Sequence, residues 1–247
     1  MKSTSRTSTQ LRPVKIQRRF TRTSPGSVLY QAGGTTVLCT ASIESNLPAW
    51  LEGKNKGWIT AEYSMLPGST SPRKRRERGG TLDGRTNEIQ RLIGRSLRAV
   101  ADLEALGSQL ITVDCDVLEA DGGTRTASIT GGFLALLDAL ASIADRLPDP
   151  NRFPLRDSVA AVSVGIVAGR PTLDLDYEQD VGAAVDMNVV MTGSGRFVEV
   201  QGTGEEATFS DEELQALLSL ARSGIAQLSE LQRSALEQDW PFARPIA

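Results

Sequence analysis

Residues 110–132, LITVDCDVLEADGGTRTASITGG, hold a change of period. Up to Ala120 the apolar residues alternate in a β-rich run, and from Thr126 to Leu147 they recur at helical spacing. The junction Asp121-Gly122-Gly123-Thr124-Arg125-Thr126 therefore predicts a turn from strand to helix. Glycines there let backbone amides approach a ligand, the helix start offers unpaired N–H groups and a positive dipole end, and Arg125 adds a planar cation. Together they suit an anion such as phosphate. A tight turn with an exposed arginine explains the same residues without a ligand. A second cationic turn, Asp83-Gly84-Arg85-Thr86, also opens a helical segment and tips the balance towards an anion site.

Upstream, residues 27–43 read as two alternating strands joined near Gly33-Gly34, and residues 58–66 as a further strand. Asn87 with Gln90 resembles a capping box, and Ile89, Leu92, Ile93, Leu97, Val100 and Leu103 continue as the apolar stripe of a helix of about five turns. Downstream, hairpins are expected over 158–177, turning at 168–171, and over 186–202, turning at 193–195. Ser210 and Glu213 then form a capping box ahead of a long amphipathic helix. No linker divides the chain, so 1–247 reads as a single α+β domain with a basic N-terminal arm over 1–12.

Composition narrows the chemistry. The 247 residues contain no histidine and only two cysteines, Cys39 and Cys115, both in apolar strand-like runs. Imidazole bases, Ser/His/Asp systems and thiolate zinc sites are thereby excluded, and any metal must be held by oxygen, as magnesium or manganese would be. Buried reduced thiols point to the cytoplasm. No segment approaches the ~20 consecutive apolar residues of a membrane span. The N-terminal residues are basic and polar without an apolar stretch, as in an arm and unlike a secretory signal.

The net charge of −3 hides a cluster: Arg73, Lys74, Arg75, Arg76 and Arg78 crowd one segment within a Gly/Pro/Ser-rich region. Residues 68–83 are expected to be a mobile basic loop; a merely solvated charge run is the plainer alternative, but its place directly before the Arg85 turn favours a funnel that leads a polyanion towards a phosphate pocket. Opposite in sign, LDLDYEQDVGAAVDMNVV (173–190) carries Asp180 and Asp186 on either side of Val181-Gly182-Ala183-Ala184-Val185. A turn there would bring the two carboxylates together, and a divalent ion would relieve their repulsion. Strand-ending aspartates in a solvated loop are the plainer alternative, and Asp174 and Asp176 read as lining a polar sheet face.

Long blocks of the chain resemble ribonuclease PH, the phosphate-dependent exoribonuclease family that trims transfer RNA precursors. They include QLRPVKIQRRF (10–20), GWITAEYSMLP (57–67), GRTNEIQRLIGRSLRA (84–99), DCDVLEADGGTRTASITGG (114–132), LDLDYEQD (173–180) and DMNVVMTGSG (186–195). The resemblance implies two ββαβα-like halves with mixed sheets and packed helices, assembled into a ring as a homohexamer, a trimer of dimers. It assigns phosphate binding to Arg85, Gly123, Thr124 and Arg125, and catalysis and a magnesium or manganese ion to Asp180 and Asp186. RNA binding falls to the basic loop.

The activity implied is a 3′-to-5′ exoribonuclease, or nucleotidyltransferase, in transfer and ribosomal RNA processing. Inorganic phosphate as co-substrate releases nucleoside diphosphates from RNA with a free 3′ end, and the reaction reverses to nucleotide addition. Around the acidic pair the sequence reads Gln179-Asp180-Val181 where the family often has a more acidic run. A catalytically silent RNA-binding subunit of an exosome-like ring is the alternative, and a hydrolytic nuclease a third.

Overall fold

The alternating N-terminal runs form a sheet with one helix-covered and one open face. In the computed structural model, which describes residues 6–76, 83–204 and 207–242, β1 (Val14–Arg18) pairs antiparallel with β2 (Gly26–Ala32), and β2 with β3 (Thr35–Glu44). The turn at Gly33-Gly34 is where expected, Gly33 taking φ 57°. β4 (Trp58–Met65), α1 (Gly84–Ala99) and β5 (Leu110–Glu119) follow, giving a mixed sheet of order β1-β2-β3-β5-β4 in which β4 runs parallel to β5. Val37, Cys39, Ala41, Ile111, Val113, Cys115 and Val117 are fully or almost fully buried beneath the helices. Asp114 and Asp116 alternate with them and face the other way.

α2 (Thr124–Ala141) is buried along nearly its whole length, packing on β2 and β3 on one side and on β6 (Val159–Val167) on the other. A helix apolar on all sides has to be central, and small residues set how closely it seats. A Cβ on Gly131 would lie 2.9 Å from Tyr30 and 3.0 Å from the Cys39 sulfur. The second sheet, of order β7-β6-β8-β9, adds β7 (Arg170–Leu173), β8 (Ala183–Thr192) and β9 (Phe197–Gly204) and is antiparallel throughout. A short helix, α3 (Tyr177–Val181), connects β7 to β8, and α4 (Asp211–Leu236) covers the sheet from its Ser210/Glu213 capping box. The architecture is α+β.

Three local expectations change. α1 is capped by Asp83, whose carboxylate accepts from the Thr86 N–H at 2.6 Å, and not at Asn87; Arg85 therefore sits in the first helical turn. The helix expected over 126–147 starts at Thr124 and ends at Ala141. Asp174 does not line a polar sheet face: it is buried, left-handed at φ 56°, and paired with Arg12. Cys39 and Cys115 are buried free thiols on facing positions of β3 and β5. No helix among the described residues is long and apolar enough to cross a membrane.

Candidate active site

The Asp121–Gly123 turn is shaped from behind. Gly122 and Gly123 both take positive φ, 74° and 65°, which glycine adopts without the penalty a side chain brings. Thr35 Oγ1 donates to the Gly122 carbonyl at 2.6 Å and accepts from the Asp121 N–H at 2.9 Å. Arg12 donates to the carbonyls of Asp121 and Gly122. A Cβ on Gly122 would meet the Leu175 carbonyl oxygen at 2.6 Å and the Tyr177 nitrogen at 2.9 Å. Glycine there lets the turn lie directly against the start of α3.

That contact brings two oppositely charged walls together. One cavity, of about 660 Å³, is lined by Arg85, Gly123, Thr124 and Arg125 from the first half and by Asp180 and Asp186 from the second. Asp180 rides on α3, whose N-cap Asp176 exchanges hydrogen bonds with Gln179 in a capping box. Asp186 lies on β8 opposite Gly165 of β6, where a Cβ would come within 2.5 Å of the Val185 carbonyl oxygen. The expected turn between the aspartates is this helix-to-strand junction at Gly182.

Around the cationic wall, Arg125 faces Glu88 at 3.7 Å and Gln201 at 3.4 Å. Tyr63 bonds to Thr124 Oγ1 at 2.9 Å; burial pushes its pKa up, while the charges of Arg85 and Arg125 pull the other way. Helix α2 begins immediately beyond Gly123, so the first-turn N–H groups and the positive end of its dipole meet the cavity. Ser163 and Asn188 line it too, and sequence reasoning passed over both. The signal for Asn188 was the period of two: it follows Asp186 on the same face of β8.

The acidic wall suits one kind of metal. Among the described residues no group of three or more His, Cys, Asp or Glu side chains is gathered to hold an ion. Two carboxylates fit magnesium or manganese, which retain waters and take substrate phosphate oxygens as ligands; they do not make an all-protein cage.

The basic segment divides. Lys74 contacts Asp83 at 3.4 Å and lines both the main cavity and a neighbouring one of about 560 Å³, whereas Arg75 and Arg76 line only the neighbouring one, with Glu62, Asp114 and Asp116. Arg73 is exposed, and Arg78 lies outside the described residues. Glu62 and Asp114 sit side by side on β4 and β5. Partial burial, then the charges of Glu62 and Asp116, push the Asp114 pKa up to about 6.

Comparison with known proteins identifies the family and the fold. Residues 10–141 match domain 1 of the 3′ exoribonuclease family and residues 157–224 match domain 2. Ribonuclease PH of Rhodopirellula baltica is 62% identical over 232 residues, covering 92% of this chain and 94% of that one. Among solved structures, rice (Oryza sativa) Rrp46 superposes with a TM-score of 0.76 at 18% identity, covering 94% of this chain and 99% of that one. An Archaeoglobus fulgidus exosome with RNA bound to the active site gives 0.77 at 21% identity, covering 92% and 90%. The two structures share the fold, and the sequence matches span both halves: the chain belongs to the ribonuclease PH family of 3′ exoribonucleases.

Proposed function

We propose that orthophosphate binds between Arg85 and the Gly123-Thr124-Arg125 turn and attacks the last phosphodiester of an RNA whose 3′ end lies against Asp180 and Asp186. The enzyme is a phosphate-dependent 3′-to-5′ exoribonuclease of transfer RNA precursors. One observation carries the assignment of residues: both arginines and both aspartates, drawn from opposite halves of the chain, line a single cavity.

The chemistry follows from charge. A phosphate oxygen forms a bond to the terminal phosphorus, the bond from that phosphorus to the 3′ oxygen of the preceding nucleotide breaks, and that oxygen takes up a proton. The products are a nucleoside diphosphate and an RNA one nucleotide shorter. Because two anions must meet, the guanidinium groups of Arg85 and Arg125 and the N–H groups of the turn contribute by positioning and by stabilising charge. Phosphate is already a competent nucleophile, which agrees with a chain that has no histidine. Asp180 and Asp186 would hold magnesium or manganese, which when bound supplies Lewis-acid stabilisation of phosphoryl oxygens. A phosphoanhydride replaces a phosphodiester, so excess diphosphate drives nucleotide addition.

The basic segment 73–76 delivers RNA to the cavity. We read the chain as one folding unit, since α2 is shared between the sheets, and as a cytoplasmic homohexamer, a trimer of dimers. A catalytically silent ring subunit is not favoured, for Arg85, Thr124, Arg125, Asp180 and Asp186 are all present. The test is incubation of a 3′-hydroxyl RNA with and without phosphate. Shortening only with phosphate, yielding diphosphates, is expected; degradation without phosphate, or monophosphate products, would reject the reading.

A further inference from the structure

We propose that Arg12 and Thr35 are positioning residues that aim the phosphate turn from behind, an inference resting on the phosphate reading above. Arg12 is buried, at 7% exposure, and has no place in the lining of the main cavity. Instead it borders a void of about 10 Å³ on the far side of Gly123, with Asp174. Its guanidinium spans two segments far apart in sequence. One side grips Asp174, Nε to Oδ2 at 3.1 Å and Nη2 to Oδ1 at 2.8 Å, and the backbone N–H of Arg12 adds a bond to Oδ2 at 2.8 Å. The other side donates to the carbonyls of Asp121 and Gly122.

The consequence comes from peptide geometry. A trans peptide points its N–H opposite to its carbonyl. Holding the Asp121 and Gly122 carbonyls towards Arg12 and Thr35 therefore turns the Gly122 and Gly123 N–H groups away from them, on the side where both glycines line the cavity. Glycine at 123 permits the close approach, since a Cβ there would lie 3.0 Å from Arg12 Nη2.

Arg12 is charge-paired with Asp174, which Arg6 also faces at 3.6 Å, and it lies outside the cavity lining, so the contribution assigned to it is orientation. The same grip ties the turn to the segment leading into α3 and Asp180. Arg6 reinforces it, donating to the Asp174 carbonyl at 2.9 Å and to Gln179 Oε1 at 2.8 Å. Residues 6 and 12, expected to belong to a basic arm, are thus built into the site's foundation.

The test separates orientation from charge and from stability. Arg12→Lys keeps the charge and loses the fork; Thr35→Val keeps the shape and loses the hydroxyl; Thr35→Ser restores the hydroxyl. KM for phosphate is measured at saturating RNA, and RNA affinity separately without phosphate. For Arg12→Lys and Thr35→Val the phosphate KM should rise about tenfold, equivalent to roughly one hydrogen bond, with RNA affinity unchanged and Thr35→Ser close to wild type. If Arg12→Lys fails to fold, the Thr35 pair decides. A folded Thr35→Val with wild-type phosphate KM, or RNA and phosphate binding weakened together, would overturn the proposal. Arg125→Ala is the control. If it raises the phosphate KM while the Thr35 and Arg12 variants do not, positioning fails alone; if it too has no effect, the phosphate reading fails and takes the proposal with it.

Discussion

Two cavities flank Lys74 and Met65, and both gather arginines and carboxylates, yet they are built for different chemistry. In the main cavity Arg85 and Arg125 of the first half face Asp180 and Asp186 of the second, with Lys74 and Asp83 beside the arginines, and a helix start supplies backbone donors. In the neighbouring cavity Glu62, Asp114 and Asp116 stand on adjacent strands of one sheet; burial first, and then the charge of Glu62, raises the proton affinity of Asp114 and Asp116. The charge of a residue therefore says little by itself; what backs it decides whether it binds an ion or merely repels its neighbour. Substitutions in the first cavity should alter catalysis, and those in the second stability and RNA grip.

Asp186→Asn should be the most damaging change, since it would remove one of the two carboxylates proposed to hold a metal. A fall in kcat of about 10²–10³, comparable to removing one electrostatic stabiliser, is expected in single-turnover assays. A decrease below threefold would detach Asp186 from the chemistry. Next, on the proposed assignment Arg125→Ala would remove a charge-assisted hydrogen bond to phosphate of roughly 1.5–3 kcal/mol. It should appear as a raised phosphate KM, and an unchanged value would reject that role.

Asp114→Asn probes the contrast from the other cavity. With its folded pKa raised to about 6 from 3.8, Asp114 holds a proton that the unfolded chain releases, so its contribution to stability falls as pH rises through that window. Thermal melts should show Asp114→Asn more stable than wild type at pH 8, the difference vanishing near pH 4, with phosphorolysis retained. A variant less stable at pH 8 would speak against the like-charge picture. A milder change is expected on replacing Arg75 and Arg76 by glutamine, which should lower the salt slope of RNA binding by about 0.7 for each RNA phosphate that these arginines neutralise. An unaltered slope would remove the neighbouring cavity from the RNA path.

Much of this was legible in the chain. Hairpin turns at Gly33-Gly34 and after Val167, the Ser210 cap and the strand-to-helix change at Asp121–Thr126 are local signals, set within a few residues by period, glycine and caps. Arg85, Arg125, Asp180 and Asp186 were legible as residue types in turns, and the long motifs assigned them roles. What escaped was non-local. Nothing near Arg12 indicates that its partners lie at 121, 122 and 174, and a buried ion pair looks in sequence like two surface charges. The Asp83 cap was hidden for another reason: Asn87/Gln90 offered a competing signal, and only the backbone shows which one closes.

The functional reading stands or falls on orthophosphate, held by Arg85 and Arg125, being the nucleophile. Its fate can be followed by degrading a 3′-hydroxyl RNA in ¹⁸O-labelled phosphate and locating the label by mass spectrometry. Nucleoside diphosphates carrying the label on the β-phosphorus and in the α–β bridge are expected. Unlabelled nucleotides, or monophosphates that take up oxygen from labelled water, would refute phosphate attack.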